Sequence, residues 1–276
     1  MQPTLISSRA NPRVKQLRGA FAGYARVASG LVAIEGEHLL LEAMRSGLIF
    51  KTVFFSERRG APGWAPGSVE LIELTDDVFA SVVDTQSPQG VAALVVPPVW
   101  TIADALPVGT GSAAPLLLIA AGLQDPGNLG TLIRSAEAFG AGGVLATAGT
   151  VSEWNQKAMR ASAGSVFRVP VVDVAAAELI ALKARGVRIL AAVAPDAESG
   201  SADRSRAAAP VAAGAADLTG PCAMMIGNEG AGLSADLLAL ADVCISIPTP
   251  GRVESLNAAV AGSLLLYEAS RQRAGR

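Results

Sequence analysis

Five polar residues stand in loops that follow strand-like runs: Glu229, Arg252, Glu254, Ser255 and Asn257. Residues 225–257 read MIGNEGAGLSADLLALADVCISIPTPGRVESLN. A short apolar strand runs into a glycine-spaced loop with one acid, Glu229. A helical segment and a second strand follow. A further loop then carries Arg252, Glu254, Ser255 and Asn257 up to a long apolar helix. Upstream, LQDPGNLGTLIRSAEAFG offers Asn128 and Arg134 after another apolar run. Strand ends that bring backbone amides and a few polar side chains together form the ligand sites of open α/β sheets. Gly227, Gly230 and Gly232 permit a close approach that a Cβ would block, so the loop can wrap a flat adenine or ribose through main-chain groups. The spacing is not GxGxxG, and GxxxxGK[ST] is absent, so neither phosphate-binding fingerprint is present. The plainer alternatives are an ordinary glycine turn and, for Arg134 with Glu137, a surface pair of about 0.3–0.5 kcal/mol.

Other engines lack parts. His38 is the sole histidine and lies in EGEHLLLEA, away from these loops, so a Ser-His-Asp or Cys-His arrangement has no partner for it. Cys222 and Cys244 are the only cysteines, without metal-ligand spacing, and read as reduced core residues of a cytosolic protein. No metal site is expected. The amino terminus has no apolar stretch suited to a signal peptide, and APLLLIAAGL and VAALVVPPVW are too short to span a bilayer.

The elements that must position the five residues follow from hydrophobic pattern. In 276 residues, 51% are apolar and 17% charged, which fits a globular chain of two domains or one large one. Net charge is −2, but residues 1–30 carry Arg9, Arg13, Lys15, Arg18 and Arg26 without an acid. That block reads as a phosphate-binding arm or as a solvated basic terminus. Residues 31–98 alternate strand-like and helix-like pieces, including IFKTVFFS, VELIEL and GVAALVV, and form a small α/β domain. Residues 99–114 read as a linker. In 115–276, LLLIAA, GVLAT, VFRVPVV, VRILAAV, AMMIG and VCISI are strands with helical stretches between most of them, which predicts a mainly parallel sheet covered on both faces. Leu129, Leu132, Ile133, Ala136 and Phe139 share one helical face, Asn128 can cap that helix, and Ser255 or Asn257 can cap the last one. Leu264, Leu265 and Tyr267 read as core, while Arg271, Arg273 and Arg276 suit the electrostatics of a helix end. The Ala-rich residues 195–220 read as an exposed, mobile loop.

The three loop segments, in this order and spacing, resemble the three signature motifs of the SpoU (TrmH) family of RNA 2′-O-ribose methyltransferases, in the SPOUT superfamily. NPRVKQLR and EGEHLLLEA resemble the start of the family's L30e-like RNA-binding domain, and RASAGSVFRVPV, with Arg160, resembles its middle segment. The resemblance spans nearly the whole chain. It implies a parallel sheet with a trefoil knot near the carboxyl end, S-adenosylmethionine as cofactor, and a cytoplasmic homodimer whose active site is completed across the interface. The motif positions fall on Asn128, Arg134, Glu229, Ser255 and Asn257. Cofactor contacts fall on Gly227, Gly230, Ile247 and Leu256, and RNA contacts on Arg9, Arg13, Lys15, Arg18 and Arg160. The long segment before Pro221 departs from the pattern and puts the local loop length in doubt.

On that resemblance a ribose 2′-hydroxyl attacks a sulfonium methyl and must shed its proton. Arg134 stabilises the developing oxyanion, or takes the proton if its pKa is depressed; the first is easier for a guanidinium. The implied substrate is 23S ribosomal RNA, with transfer RNA or a non-catalytic RNA-binding or ribosome-assembly role as alternatives.

Overall fold

The computed structural model describes residues 4–23, 30–83, 85, 87–106, 114–195 and 209–275. Arg26, Arg276, the middle of the 99–114 linker and residues 196–208 of the Ala-rich segment lie outside the described residues. Two compact units divide the chain, Met1–Val99 with Trp154–Gln156 and Trp100–Glu153 with Lys157–Arg276.

The first unit contains β1 (Thr4–Ile6), α1 (Pro12–Phe21), β2 (Val32–Glu35), α2 (Glu37–Arg45), β3 (Ile49–Ser56), β4 (Glu70–Leu74), α3 (Asp76–Ala80) and β5 (Val91–Val96). Its sheet order is β1-β4-β3-β5-β2, with β5 antiparallel to both neighbours. The basic stretch at the amino terminus is not a separate arm. Residues 4–6 pair in parallel with β4, and Val14 and Leu17 of α1 are wholly buried. The charge count hid an apolar stripe at helical spacing, started by Asn11, whose side chain caps the helix.

The second unit contains β6 (Leu116–Ala120), α4 (Pro126–Ala138), β7 (Gly143–Ala146), α5 (Gln156–Ser162), β8 (Val171–Asp173), α6 (Ala176–Ala184), β9 (Arg188–Ala192), β10 (Val211–Ala212), β11 (Cys222–Ile226), α7 (Ala235–Leu240), β12 (Val243–Ser246) and α8 (Ala258–Ala274). The strands form one sheet, β10-β12-β9-β11-β6-β7-β8, and every neighbouring pair is parallel. All residues of β6 and β11 are buried, as their unalternating apolar runs require.

Three expectations change here. VFRVPVV is not one strand: Gly164, at φ 93°, opens a tight 3-10 turn over Ser165–Phe167, and pairing starts only after Pro170, which has no N–H to give a ladder. Residues 209–220 are not a free loop, because β10 pairs with β12 and Leu218 is wholly buried. Arg273 does more than complement a helix end. Its guanidinium donates to the carbonyls of Leu218, Pro115 and Gly220 at 2.9, 3.1 and 2.7 Å, fastening α8 to the amino-terminal edge of the sheet. Arg271 pairs instead with Glu268 at 2.7 Å.

Small residues set the approach of the helices around the first loop. A Cβ on Gly130 would lie 2.2 Å from the Ala158 carbonyl oxygen, so α4 and α5 touch backbone to side where only glycine fits. Along α8, Gly262, Leu265, Leu266 and Ala269 face inward. Leu264 and Tyr267 do not join the core; they are 43% and 52% exposed. Gly130→Ala is expected to lower the unfolding free energy by about 1–3 kcal/mol, read by denaturant titration. An unchanged midpoint and slope would mean that the two helices separate without cost.

Candidate active site

The carboxyl ends of β6, β9, β11 and β12 lie side by side, because the sheet is parallel and these strands are neighbours. The loops that follow them form one polar wall and one cavity. Asp125, rather than Asn128, caps α4: its Oδ1 accepts the Asn128 N–H at 2.8 Å. Asn128 is thereby inside the first turn, with its side chain free to reach the other loops.

That side chain sits in a directed chain of hydrogen bonds. Asn128 Nδ2 donates to Glu229 Oε1 at 2.9 Å, and Asn128 Oδ1 accepts from Asn257 Nδ2 at 3.0 Å. Asn257 Oδ1 then accepts the N–H groups of Ala259 and Val260 at 2.9 and 3.2 Å, so Asn257 and not Ser255 caps α8. Glu229 also accepts the N–H groups of Gln124 and Asp125, each at 3.3 Å. An ionised carboxylate only accepts, which forces the amide of Asn128, and through it that of Asn257, into one orientation. Burial pushes the Glu229 carboxyl up, but the Asn128 amide and the backbone N–H groups outweigh it and hold the group below the usual carboxylate range.

The glycine loop after β11 closes on itself. Asn228 and Gly232 exchange N–H···O bonds of 3.0 Å in each direction. A Cβ on Gly227 would lie 2.6 Å from the Gly232 carbonyl carbon, so this position accepts only glycine without a shift of backbone. Asn228 organises the turn, accepting from Gly230 and Ala231 N–H at 2.9 and 3.0 Å and donating to the Gly122 carbonyl at 2.8 Å. Sequence reasoning passed over Asn228, although an Asn just ahead of spaced glycines is the mark of an Asx turn.

Against this wall lies a cavity of about 610 Å³. Gly227, Glu229, Gly230, Ile247, Ser255, Leu256 and Asn257 all line it. So do Ala192–Pro195 after β9, which the sequence could not point to before the strand order was known. Apolar side chains, including Ile226, Leu233, Leu238 and Ile245, make most of the rest, and no lysine or arginine is among the lining residues. Among the described lining residues a pyrophosphate would find no countercharge. A phosphate-free nucleoside carrying a cationic centre fits, since Glu229 is the only ionised side chain among them.

Arg134 is not brought to this cavity within the single chain. It is exposed on α4 and does not line the pocket. Nor does it pair with Glu137, whose carboxylate takes a two-pronged bond from Arg168 at 2.5 and 3.0 Å. Of the expected RNA contacts, Arg9, Lys15 and Arg160 are exposed. Arg13 pairs with Glu70 at 2.9 Å, and Arg18, part-buried, donates to Ser81 at 3.4 Å. His38 is exposed at the start of α2. Among the described residues, no group of His, Cys, Asp and Glu could hold a metal ion, and no helix is long and apolar enough to cross a membrane.

The comparisons with known proteins agree with this geometry. The SpoU rRNA methylase family model matches residues 115–267, and an MRM3-like substrate binding domain matches residues 11–93. A 23S rRNA (guanosine(2553)-2′-O)-methyltransferase of Bacillus subtilis is 34% identical, covering 95% of this chain and 97% of its own. A 23S rRNA (uridine(2479)-2′-O)-methyltransferase of Streptomyces viridochromogenes is 31% identical, covering 97% and 92%. The crystal structure of the SpoU methyltransferase AviRb from Streptomyces viridochromogenes, in complex with AdoMet, superposes with a TM-score of 0.80 at 29% identity, covering 96% of this chain and 98% of that one.

Because the folded Glu229 carboxyl lies below its ordinary value of about 4.3, its bonds stabilise the fold above that pH and are lost as pH falls through the folded value. Glu229→Gln is therefore expected to lower Tm at neutral pH, and the gap from wild type should close on acidification below about pH 4. A gap independent of pH would show that the charge is not what holds the wall.

Proposed function

This chain belongs to the SpoU rRNA methylase family, and from that premise we propose that it methylates a ribose 2′-hydroxyl in large-subunit ribosomal RNA, with S-adenosylmethionine as donor. The observation that carries the reading is the Glu229–Asn128–Asn257 chain set in the wall of a glycine-rich cavity with no lysine or arginine among its described lining residues. S-adenosylmethionine, when bound, supplies an electrophilic methyl on a sulfonium. The main chain of Gly227, Gly230, Ile247 and Leu256 would hold its nucleoside part, and the Glu229 carboxylate favours positive charge nearby.

The chain's own residues then have three tasks. Asn128 and Asn257, held in one orientation by Glu229, fix the wall against which the ribose is placed, and Ser255 adds a hydroxyl beside Asn257. Arg134 carries a permanent charge to stabilise the oxygen as its proton leaves. Because Arg134 lies outside its own cavity, we assign that task to a second copy of the chain. An apolar groove lined by Thr131, Phe139, Ala259, Val260, Ser263, Leu264 and Tyr267 lies along α4 and α8, and Arg134 is three residues from Thr131. Val260 is 48% exposed, beside the exposed Leu264 and Tyr267, and a contiguous apolar face of this kind marks an interface. A homodimer covers it and delivers each Arg134 to the partner.

The trefoil knot belongs to the same reading. The chain passes from β11, between β6 and β9, out to β12 beyond β9, and returns as α8 against β11. The first unit, matching a substrate binding domain, holds RNA as an L30e-like module, with Arg9 and Lys15 among its exposed cations; in the second unit Arg160 on α5 is exposed as well. Its similarity to bacterial 23S rRNA methyltransferases supports the cytoplasm as the enzyme's place of work.

Incubation with ribosomal RNA and methyl-labelled donor should place label on a 2′-oxygen, seen as an alkali-resistant linkage; label on a base would overturn the reading. Arg134→Ala is expected to lower kcat by about 100-fold or more with donor Kd unchanged by calorimetry. Mixing Arg134→Ala with Leu256→Trp, which fills the cavity, should restore activity that neither has alone, because hybrid dimers contain one complete site. Leu264→Glu should yield inactive monomers by light scattering; an active monomer would place Arg134 in its own cavity.

A further inference from the structure

We propose that Lys157 is a phosphate ligand for the RNA strand beside the reacting ribose, held in register by Asp125 until RNA displaces that pairing; this rests on the RNA reading above. Lys157 Nζ lies 2.8 Å from Asp125 Oδ2, while the other oxygen of the same carboxylate caps α4 at the Asn128 N–H, also at 2.8 Å. The Asp125 N–H in turn donates to Glu229 on the cavity wall at 3.3 Å. One carboxylate thus connects an ammonium to the segment that carries Asn128.

The pair sits close against the first turn of α4: a Cβ on Gly127 would lie 2.8 Å from Asp125 Oδ1 and 3.2 Å from Lys157 Cε, both near the ends of flexible side chains, so a side chain there would push on the pair. Stability does not account for it. The two side chains are 59% and 42% exposed, and an exposed pair contributes at most about 1 kcal/mol. The cap at Asn128 uses the oxygen that Lys157 does not touch, and asparagine would cap as well. Arg160 follows one turn later on α5 and is exposed, and α5 packs directly on α4, the helix of Arg134. Lys157 and Arg160 therefore extend from the reaction site as a short cationic row. An RNA phosphate meets Lys157 with full charge and releases counterions, and Asp125 keeps its bond to the Asn128 N–H when Lys157 turns away. Asp125 also repels phosphate that arrives out of register.

The test measures Kd for a ribosomal RNA fragment against salt for wild type, Lys157→Ala and Asp125→Asn, with donor binding by calorimetry in parallel. Lys157→Ala should bind RNA about fivefold more weakly at about 0.1 M salt, with a salt slope shallower by about one, and with donor affinity unchanged. Asp125→Asn, which keeps the cap and removes the carboxylate charge beside the ammonium, should bind RNA more tightly with an unchanged or steeper slope. Wild-type RNA affinity and slope in Lys157→Ala would overturn the proposal, as would equal weakening in both variants, the result of a merely structural pair. If the wild type methylates RNA while Lys157→Ala is indistinguishable from it, only this inference fails. If the wild type neither binds nor methylates RNA, the enzymatic reading fails and takes this one with it.

Discussion

The Glu229 carboxylate is the constraint on which the second unit's site depends. It joins residues 101 positions apart to Asn128, and Asn128 joins residues 129 positions apart to Asn257. Bringing the ends of three segments together costs chain entropy, and partly burying a carboxylate costs hydration. Three donors offset the second cost: the Asn128 amide and the Gln124 and Asp125 N–H groups. A glutamine in its place could accept as well as donate, whereas the acid agrees with the direction that the first N–H groups of α8 already impose through Asn257. The chain is therefore fixed at both ends, by acceptors at Glu229 and by donors at α8.

That arrangement needs backbones closer than side chains usually allow. Gly227 brings the two arms of its loop together, and Gly130 lets α4 sit against α5 near Asn128 and Asp125. The core cluster under the second unit's sheet is built from Ala, Val, Leu, Ile and Met, without a buried aromatic ring, which suits tight helix-to-sheet approach. A cavity lined by Ala192–Pro195 and the glycine loop is the complement of this packing. The same small residues that close the core leave a wall made largely of main chain, able to bind through N–H and C=O without committing a charged side chain.

Legibility in the sequence followed the range of the forces involved. IFKTVFFS is a strand over all eight of its residues, and the unalternating runs of β6 and β11 are buried on both faces, because local pattern and burial agree there. Gly227, Gly230, Ser255 and Asn257, read from the loops after strands, and Ile247 and Leu256, implied by the family resemblance, line one cavity. In some misses a distant partner chose between locally equal options: Arg168 took Glu137 from Arg134, and β4 drew the basic amino terminus into its sheet. Others are local, as where Asp125 took the cap from Asn128. Pro170 and the left-handed turn before it cut short a run that otherwise reads as strand. Helical phase, not composition, put Leu264 and Tyr267 outside while Leu265 and Leu266 went in.

The placement of Arg134 follows from the same packing. The face of α4 that carries Leu129, Leu132, Ile133 and Ala136 is committed to the core, and its first turn is committed to the wall through Asn128. Arg134, in the turn after that, is exposed and is not among the residues that line the cavity. On the proposed reading, the cation that stabilises the developing oxyanion therefore comes from a second copy. The apolar residues Val260, Leu264 and Tyr267 lie on the helix that begins at Asn257. Covering them with a second copy would remove apolar surface from water and, through the same helix, bring a foreign α4 to the edge of the cavity. Stability of the assembly and completion of the site then have one cause, so a chain that fails to pair should lose its chemistry before it loses its fold.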